Sequence, residues 1–116
     1  MFQPLDLGSY SASNESDLVV LYGAIQDAHV VEFVYSDFQR FVEPYELGKS
    51  KLGDILLRGY QIGGGAYGPK VVGWKLFRLD YLASLGISKE SFSPRTDYLS
   101  LPKFWTYDPI IFLKGG

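Results

Sequence analysis

Asp54-Ile-Leu-Leu-Arg-Gly-Tyr-Gln-Ile62 is the longest β-like run in the chain, and the other strand candidates lie on either side of it. It is apolar enough to be buried, yet Arg58 and Gln61 interrupt it. Gly59 sits in its middle, where glycine weakens a flat strand and marks a sharp bend or a close backbone approach. A bent central strand suits a small, strongly coiled β barrel.

Working outward, Val30-Val-Glu-Phe-Val-Tyr35 has the β-branched and aromatic composition of a strand, and Ser36-Asp37 is turn chemistry. Gln39 to Leu47 reads as the next strand, with Phe41, Tyr45 and Leu47 set against Arg40, Val42 and Glu46. Pro44 lacks an amide proton, so this strand needs an exposed edge or a bulge there. Gly48 to Gly53 is a polar hairpin loop. On the other side, Gly63-Gly-Gly-Ala-Tyr-Gly-Pro69 must be irregular. Val71 to Leu79 is a fourth strand. Tyr81 to Ile87 fits a short helical turn, a final strand, or one followed by the other.

At the N-terminal side, residues 1–15 read as an arm. Ser16 or Asp17 caps a helix over 17–28, with Leu18, Leu21, Tyr22, Ile25 and Ala28 at helical spacing. The last stretch carries Phe92, Tyr98, Phe104, Trp105, Tyr107 and Phe112, too apolar for a solvated linker. The reading is mainly β: a small SH3-like or Sm-like antiparallel barrel preceded by one α-helix, with an aromatic C-terminal tail. Its parts are an arm at 1–15, the helix and barrel at 16–90, and a tail at 91–116 packed on the barrel.

The 116 residues make one domain with room for one core. There is no cysteine, which excludes disulfides and thiolate chemistry. No basic segment followed by an apolar run opens the chain, and no apolar stretch nears the roughly 20 residues a membrane span needs. The expectation is a cytoplasmic protein with no membrane contact. A net charge of −2 argues against general nucleic-acid binding. Residues 1–29 hold Asp6, Glu15, Asp17 and Asp27 with no Lys or Arg, whereas residues 30–81 hold seven basic residues against six acidic ones. An anion site would therefore be a local cluster.

Five segments in order resemble the WYL-domain family: Tyr22-Gly-Ala-Ile25, Val31-Glu-Phe-Val-Tyr35, Arg40-Phe-Val-Glu-Pro44, Leu56-Leu-Arg-Gly-Tyr60 and Phe77-Arg-Leu-Asp80. Tyr60-Gln-Ile-Gly-Gly64, Gly73-Trp-Lys-Leu-Phe77 and Phe92-Ser-Pro-Arg95 are similar to single-domain members of that group. The resemblance implies a helix followed by an Sm-like or SH3-like barrel. It also implies a ligand-sensing part of bacterial transcription regulators and phage-defence-associated proteins, with nucleic acid, nucleotides or other anions as ligands. Ile55, Leu56 and Leu57 stand where the residues that name the family fall, so its aromatic pair is missing. The chain shows no helix-turn-helix pattern, so transcriptional control would run through a partner.

Arg40, Arg58 and Arg78 lie on three strands, and neighbouring strands are about 4.8 Å apart, so the three could converge on one phosphate. Tyr60 and Trp74 sit at even spacing from Arg58 and Arg78 and could stack a base. The alternative is that each arginine pairs with Glu32, Glu43, Glu46 or Asp80. Gly63-x-Gly65-x-x-Gly68 matches a dinucleotide fingerprint only formally, because no helix follows it. His29 reads as a helix-end residue favoured by the helix dipole. A metal site or a cofactor is not expected, and nothing supplies an activated nucleophile. Gly115-Gly116 reads as chance rather than a ubiquitin-like end. The favoured function is a non-enzymatic regulatory module that binds a nucleotide or single-stranded nucleic acid through Arg40, Arg58, Arg78, Tyr60 and Trp74. The alternative is a protein-interaction module using the aromatic tail or a barrel edge, with a protein partner or a homodimer open.

Overall fold

The computed structural model describes residues 12–101 and 107–113. Helix α1 spans Ala12–Asp27, followed by strands β1 (His29–Tyr35), β2 (Phe38–Ser50), β3 (Ile55–Gly64), β4 (Gly73–Arg78), β5 (Ala83–Ser91) and β6 (Tyr107–Phe112). A 3₁₀ turn at Leu79–Tyr81 joins β4 to β5, and a second one covers Thr96–Ser100. Both alternatives read for Tyr81 to Ile87 are therefore realised, the turn first and the strand after it. The expected arm lies outside the described residues up to position 11. From Ala12 onward it is helix, so Ser16 and Asp17 stand inside α1 rather than at its cap. The reason is legible: Ala12 to Glu15 carry no large apolar residue, so the pattern does not announce the first turn. Burial pushes the Asp17 carboxyl above its usual range.

All pairings are antiparallel, in the order β4-β3-β2-β1-β5, with β6 added to β2. The sheet coils around its core without closing. Its edges β4 and β5 are bridged by the 3₁₀ turn, which sends Leu79 and Leu82 inward. Lys75 and Arg78 on one edge and Lys89 and Glu90 on the other discourage pairing with further strands. The core joins Leu18, Leu21 and Ile25 of α1 to Val31, Phe33, Val42, Leu47, Leu57 and Phe77 of the sheet. Phe77 meets Phe33 and Tyr35 edge to face, both with centroids 5.0 Å apart.

The bend expected at Gly59 is a close approach. A Cβ there would stand 2.4 Å from Val42 Cγ1 and 2.9 Å from the Glu43 carbonyl oxygen. Opposite it, Pro44 pairs with Gly59 and Glu46 with Arg58, so Tyr45 is the extra residue of a bulge. Pro44 also marks where β2 changes partners: β1 pairs as far as Val42, and β6 begins at Glu46. The bulge corrects the alternation read for β2. Arg40 and Val42 are buried while Phe41 is exposed, and beyond Tyr45 the parity reverses so that Leu47 faces the core. At the β1–β2 hairpin, Ser36 and Asp37 both have positive φ, as a twisted two-residue turn requires.

Candidate functional site

Antiparallel partners project to the same side of a sheet. Arg58 stands opposite Leu76 and Glu46, Tyr60 opposite Trp74 and Glu43, and Leu56 opposite Arg78. Arg58, Tyr60, Trp74 and Arg78 therefore share the outer face. Arg40 stands opposite Phe33 and turns to the inner face with the core. The expected meeting of three guanidinium groups does not form. Arg40 and Glu46 are six residues apart on one strand, an even spacing, yet the Tyr45 bulge puts them on opposite faces.

On the outer face every arginine has a carboxylate. Arg58 Nη1 is 3.2 Å from Glu46 Oε1, with both groups well shielded. Arg78 Nη2 is 3.0 Å from Asp54 and 3.7 Å from Asp80, and its guanidinium lies over Tyr81 at 4.7 Å. The alternative reading of arginine–carboxylate pairs holds for these two. The expected stacking residues are covered by residues 92–101, here called the strap. The Arg95 guanidinium sits 3.6 Å from the centre of the Tyr60 ring and grips Glu43 at 2.9 and 3.3 Å. The Trp74 indole donates to Asp97 at 3.0 Å. Tyr98 packs on Tyr45 and Trp74, with centroids 4.8 and 5.8 Å away. Phe92 and Tyr98 pack on Tyr45 of the sheet; Phe104, Trp105 and Gly115-Gly116 lie outside the described residues.

Burial under the strap pushes the Tyr45 phenol up to about 12, against the opposing hydrogen bond from the Arg95 amide. Tyr98 is likewise raised, by burial and then by the Glu46 charge. The folded state therefore holds these protons more tightly than the unfolded chain. That stability is complete below the ordinary tyrosine value of 10.0 and is lost as pH climbs through about 12. Denaturant unfolding at stepped alkaline pH should show this decline, and Tyr45→Phe should flatten it.

Arg40 and Lys75 lie toward the other end of the inner face. Arg40 Nε and Nη2 donate to the Tyr35 carbonyl at 3.2 and 2.9 Å, and Nη1 donates to Gln61 Oε1 at 3.1 Å. Its guanidinium lies 5.5 to 5.8 Å from the rings of Tyr35, Phe38 and Phe77. The fully buried Gln61 passes the network on, donating to the carbonyls of Gly63 and Gly65 at 3.1 and 3.0 Å. Lys75, opposite Gly59 and two residues before the core Phe77, is on this inner side, and its ammonium donates to the Lys70 carbonyl at 2.9 Å. Burial lowers the proton affinity of Arg40. Burial also lowers that of Lys75, helped by the charges of Arg40 and Lys70. Among the described residues none of these three cations forms an ion pair with a carboxylate. The rim carries Tyr67, 69% exposed, edge-on to Phe38 at 4.8 Å and donating to Asp37 at 3.0 Å.

Lys70 and Lys75 escape a sequence reading because a lysine beside a glycine loop and one on an edge strand both look like solvated charges. The chain leaves the Gly63–Gly68 loop into β4, so no helix N-terminus follows it. His29 does not cap α1: it opens β1, and its Nδ1 is 3.2 Å from the Ser88 carbonyl. Among the described residues no three His, Asp or Glu side chains are grouped to hold a metal ion. No described helix is long and apolar enough to cross a membrane.

Helix, coiled open sheet and a cationic end together define a small β module of the helix-plus-barrel kind. No family model matches the chain, and no curated protein does. A solved structure similar to it is proteasome accessory factor B/C (PafBC) of Arthrobacter aurescens, with 25% identity and a TM-score of 0.58. The likeness covers 70% of this chain and 13% of that one. PafBC contains a WYL domain, the family that the ordered sequence segments resemble.

Proposed function

We propose that the chain is a WYL-like, non-enzymatic regulatory module that senses an anionic ligand, a nucleotide or a short single strand of nucleic acid. The observation that carries this is Lys75, on the inner face with Arg40 and bonded to the Lys70 carbonyl, where among the described residues none of the three cations forms an ion pair with a carboxylate. A phosphate bound there would supply an anionic partner. Tyr67, exposed at the rim, would stack a base. The likeness to part of PafBC supports a regulatory role. The site keeps Arg40 from the sequence reading and replaces the outer-face arginines, which are already paired, with two lysines.

Binding of ADP and of a short oligo-dT, measured by calorimetry over a range of salt, tests this. Lys75→Ala should weaken the bound probe by about tenfold, in line with a charged hydrogen bond worth about 1.5 kcal/mol. It should also lower the salt dependence by about one ion. Arg58→Ala, on the opposite face, should leave affinity unchanged wherever the protein stays folded. Binding that ignores both salt and Lys75 removes this site, and reproducible nucleotide hydrolysis by the pure protein removes the non-enzymatic reading.

A further inference from the structure

The place that holds Arg95 belongs to the sheet. Glu43 on β2 is 7% exposed, and its two carboxylate oxygens take Arg95 Nε and Nη2. Tyr60 on β3 supplies the ring beneath the guanidinium. The Tyr45 phenol, fully buried, accepts the Arg95 amide at 2.8 Å and reaches Glu43 Oε1 at 3.4 Å. Side chain and main chain of one arginine are therefore read together, by three residues of which none lies on the strap.

The strap itself is attached as a bound peptide would be. Among the described residues its backbone makes one hydrogen bond to the rest of the main chain, from the Phe92 amide to the Ala28 carbonyl at 2.9 Å. Its other main-chain bonds, Tyr98 to Arg95 and Leu101 to Tyr98, are internal. The Arg95 amide donates to the Tyr45 phenol, and the side chains of Phe92, Arg95, Asp97 and Tyr98 make the other contacts. A buried carboxylate cannot stand empty without cost, so the seat demands a cation. The ring face and the paired oxygens favour a planar guanidinium over an ammonium.

We propose that Glu43, Tyr45 and Tyr60 form a guanidinium seat for an arginine presented by a partner protein, and that Arg95 fills it until such a segment displaces the strap. The charge complementarity of a buried acid under an aromatic lid sets the partner's chemistry: an arginine-bearing stretch, followed by an acid for Trp74 and an aromatic residue for Tyr45.

The probe is a synthetic peptide copying residues 92–101, titrated onto the full chain by fluorescence anisotropy. The Arg95→Ala protein, whose seat is vacated, should bind it more tightly than the parent chain does. The same peptide carrying R95K should bind at least about tenfold more weakly. Glu43→Gln added to Arg95→Ala should abolish binding. A folded Arg95→Ala protein that binds no better than the parent, or takes both peptides equally, overturns the proposal. Should Arg95→Ala fail to fold by circular dichroism, Asp97→Asn loosens the strap with Arg95 kept. Tighter peptide binding by that variant supports the seat, and unchanged binding refutes it. Strong self-association of Asp97→Asn that peptide cannot reverse makes the occupant a second copy, and refutes the partner protein.

Discussion

Gly59→Ala is expected to destabilise the fold by about 3 kcal/mol, the upper part of the range for forcing a methyl into a packed interior. The added Cβ would stand 2.4 Å from Val42 Cγ1 and 2.9 Å from the Glu43 carbonyl oxygen. Val42 is β-branched and fully buried, so it has little freedom to turn away. The carbonyl belongs to the strand bent at Pro44 and Tyr45, so relief there means undoing the bulge. With a loss of about 3 kcal/mol the melting temperature should fall by roughly 12 °C for a domain of this size. Val42→Ala removes one of the two obstacles, so the double variant should lose less than the sum of the singles; full additivity in urea titrations would show that the two groups do not collide.

Gln61→Leu should cost a similar amount for the opposite reason, since it adds no bulk and removes hydrogen bonds. The side chain is fully buried and serves three partners: the Arg40 guanidinium and the carbonyls of Gly63 and Gly65. Leucine leaves one charged donor and two acceptors without partners, at about 1 to 3 kcal/mol for each buried group less what water recovers at the rim. The net expectation is about 3 kcal/mol, with the Gly63–Pro69 loop loosened so that its amides exchange faster with solvent. Arg40→Met combined with Gln61→Leu should cost less than the two changes added together, because the pair is removed as a unit. A Gln61→Leu protein as stable as the parent would mean that this network contributes little to holding the Arg40 end of the sheet.

Both substitutions fall in the stretch that a reader of the sequence would choose first, and the two residues were legible to different degrees. Gly59 in the middle of a strand signals a close approach, and Pro44 signals a bulge; the register joins the two as direct partners. Gln61 reads only as an interruption, because nothing local shows which polar groups a buried amide will meet. Strand β6 was hidden in the aromatic tail, since its pairing with β2 depends on β1 having left that edge at Val42. The arginines show the same limit. Their strands were identified, but the face each one takes depends on bulges that shift the parity of β2. Arg95, which the sequence offers only within a tail motif, proves to be the arginine that sits on Tyr60.

By itself, then, the order of residues determined the helix, the run of strands around residues 54–62, the turn at Ser36-Asp37 and a tail too apolar to stay in water. These follow from local sterics and from the period of apolar side chains, which neighbours along the chain express without help. The partners of each charge were decided only by the folded chain. Glu43 meets Arg95 across 52 positions, while among the described residues Arg40, Lys70 and Lys75 form no ion pair with a carboxylate. Coulomb interactions act over ångströms of space rather than along the sequence, so which cations are paired with an acid depends on how the coiled sheet turns its faces.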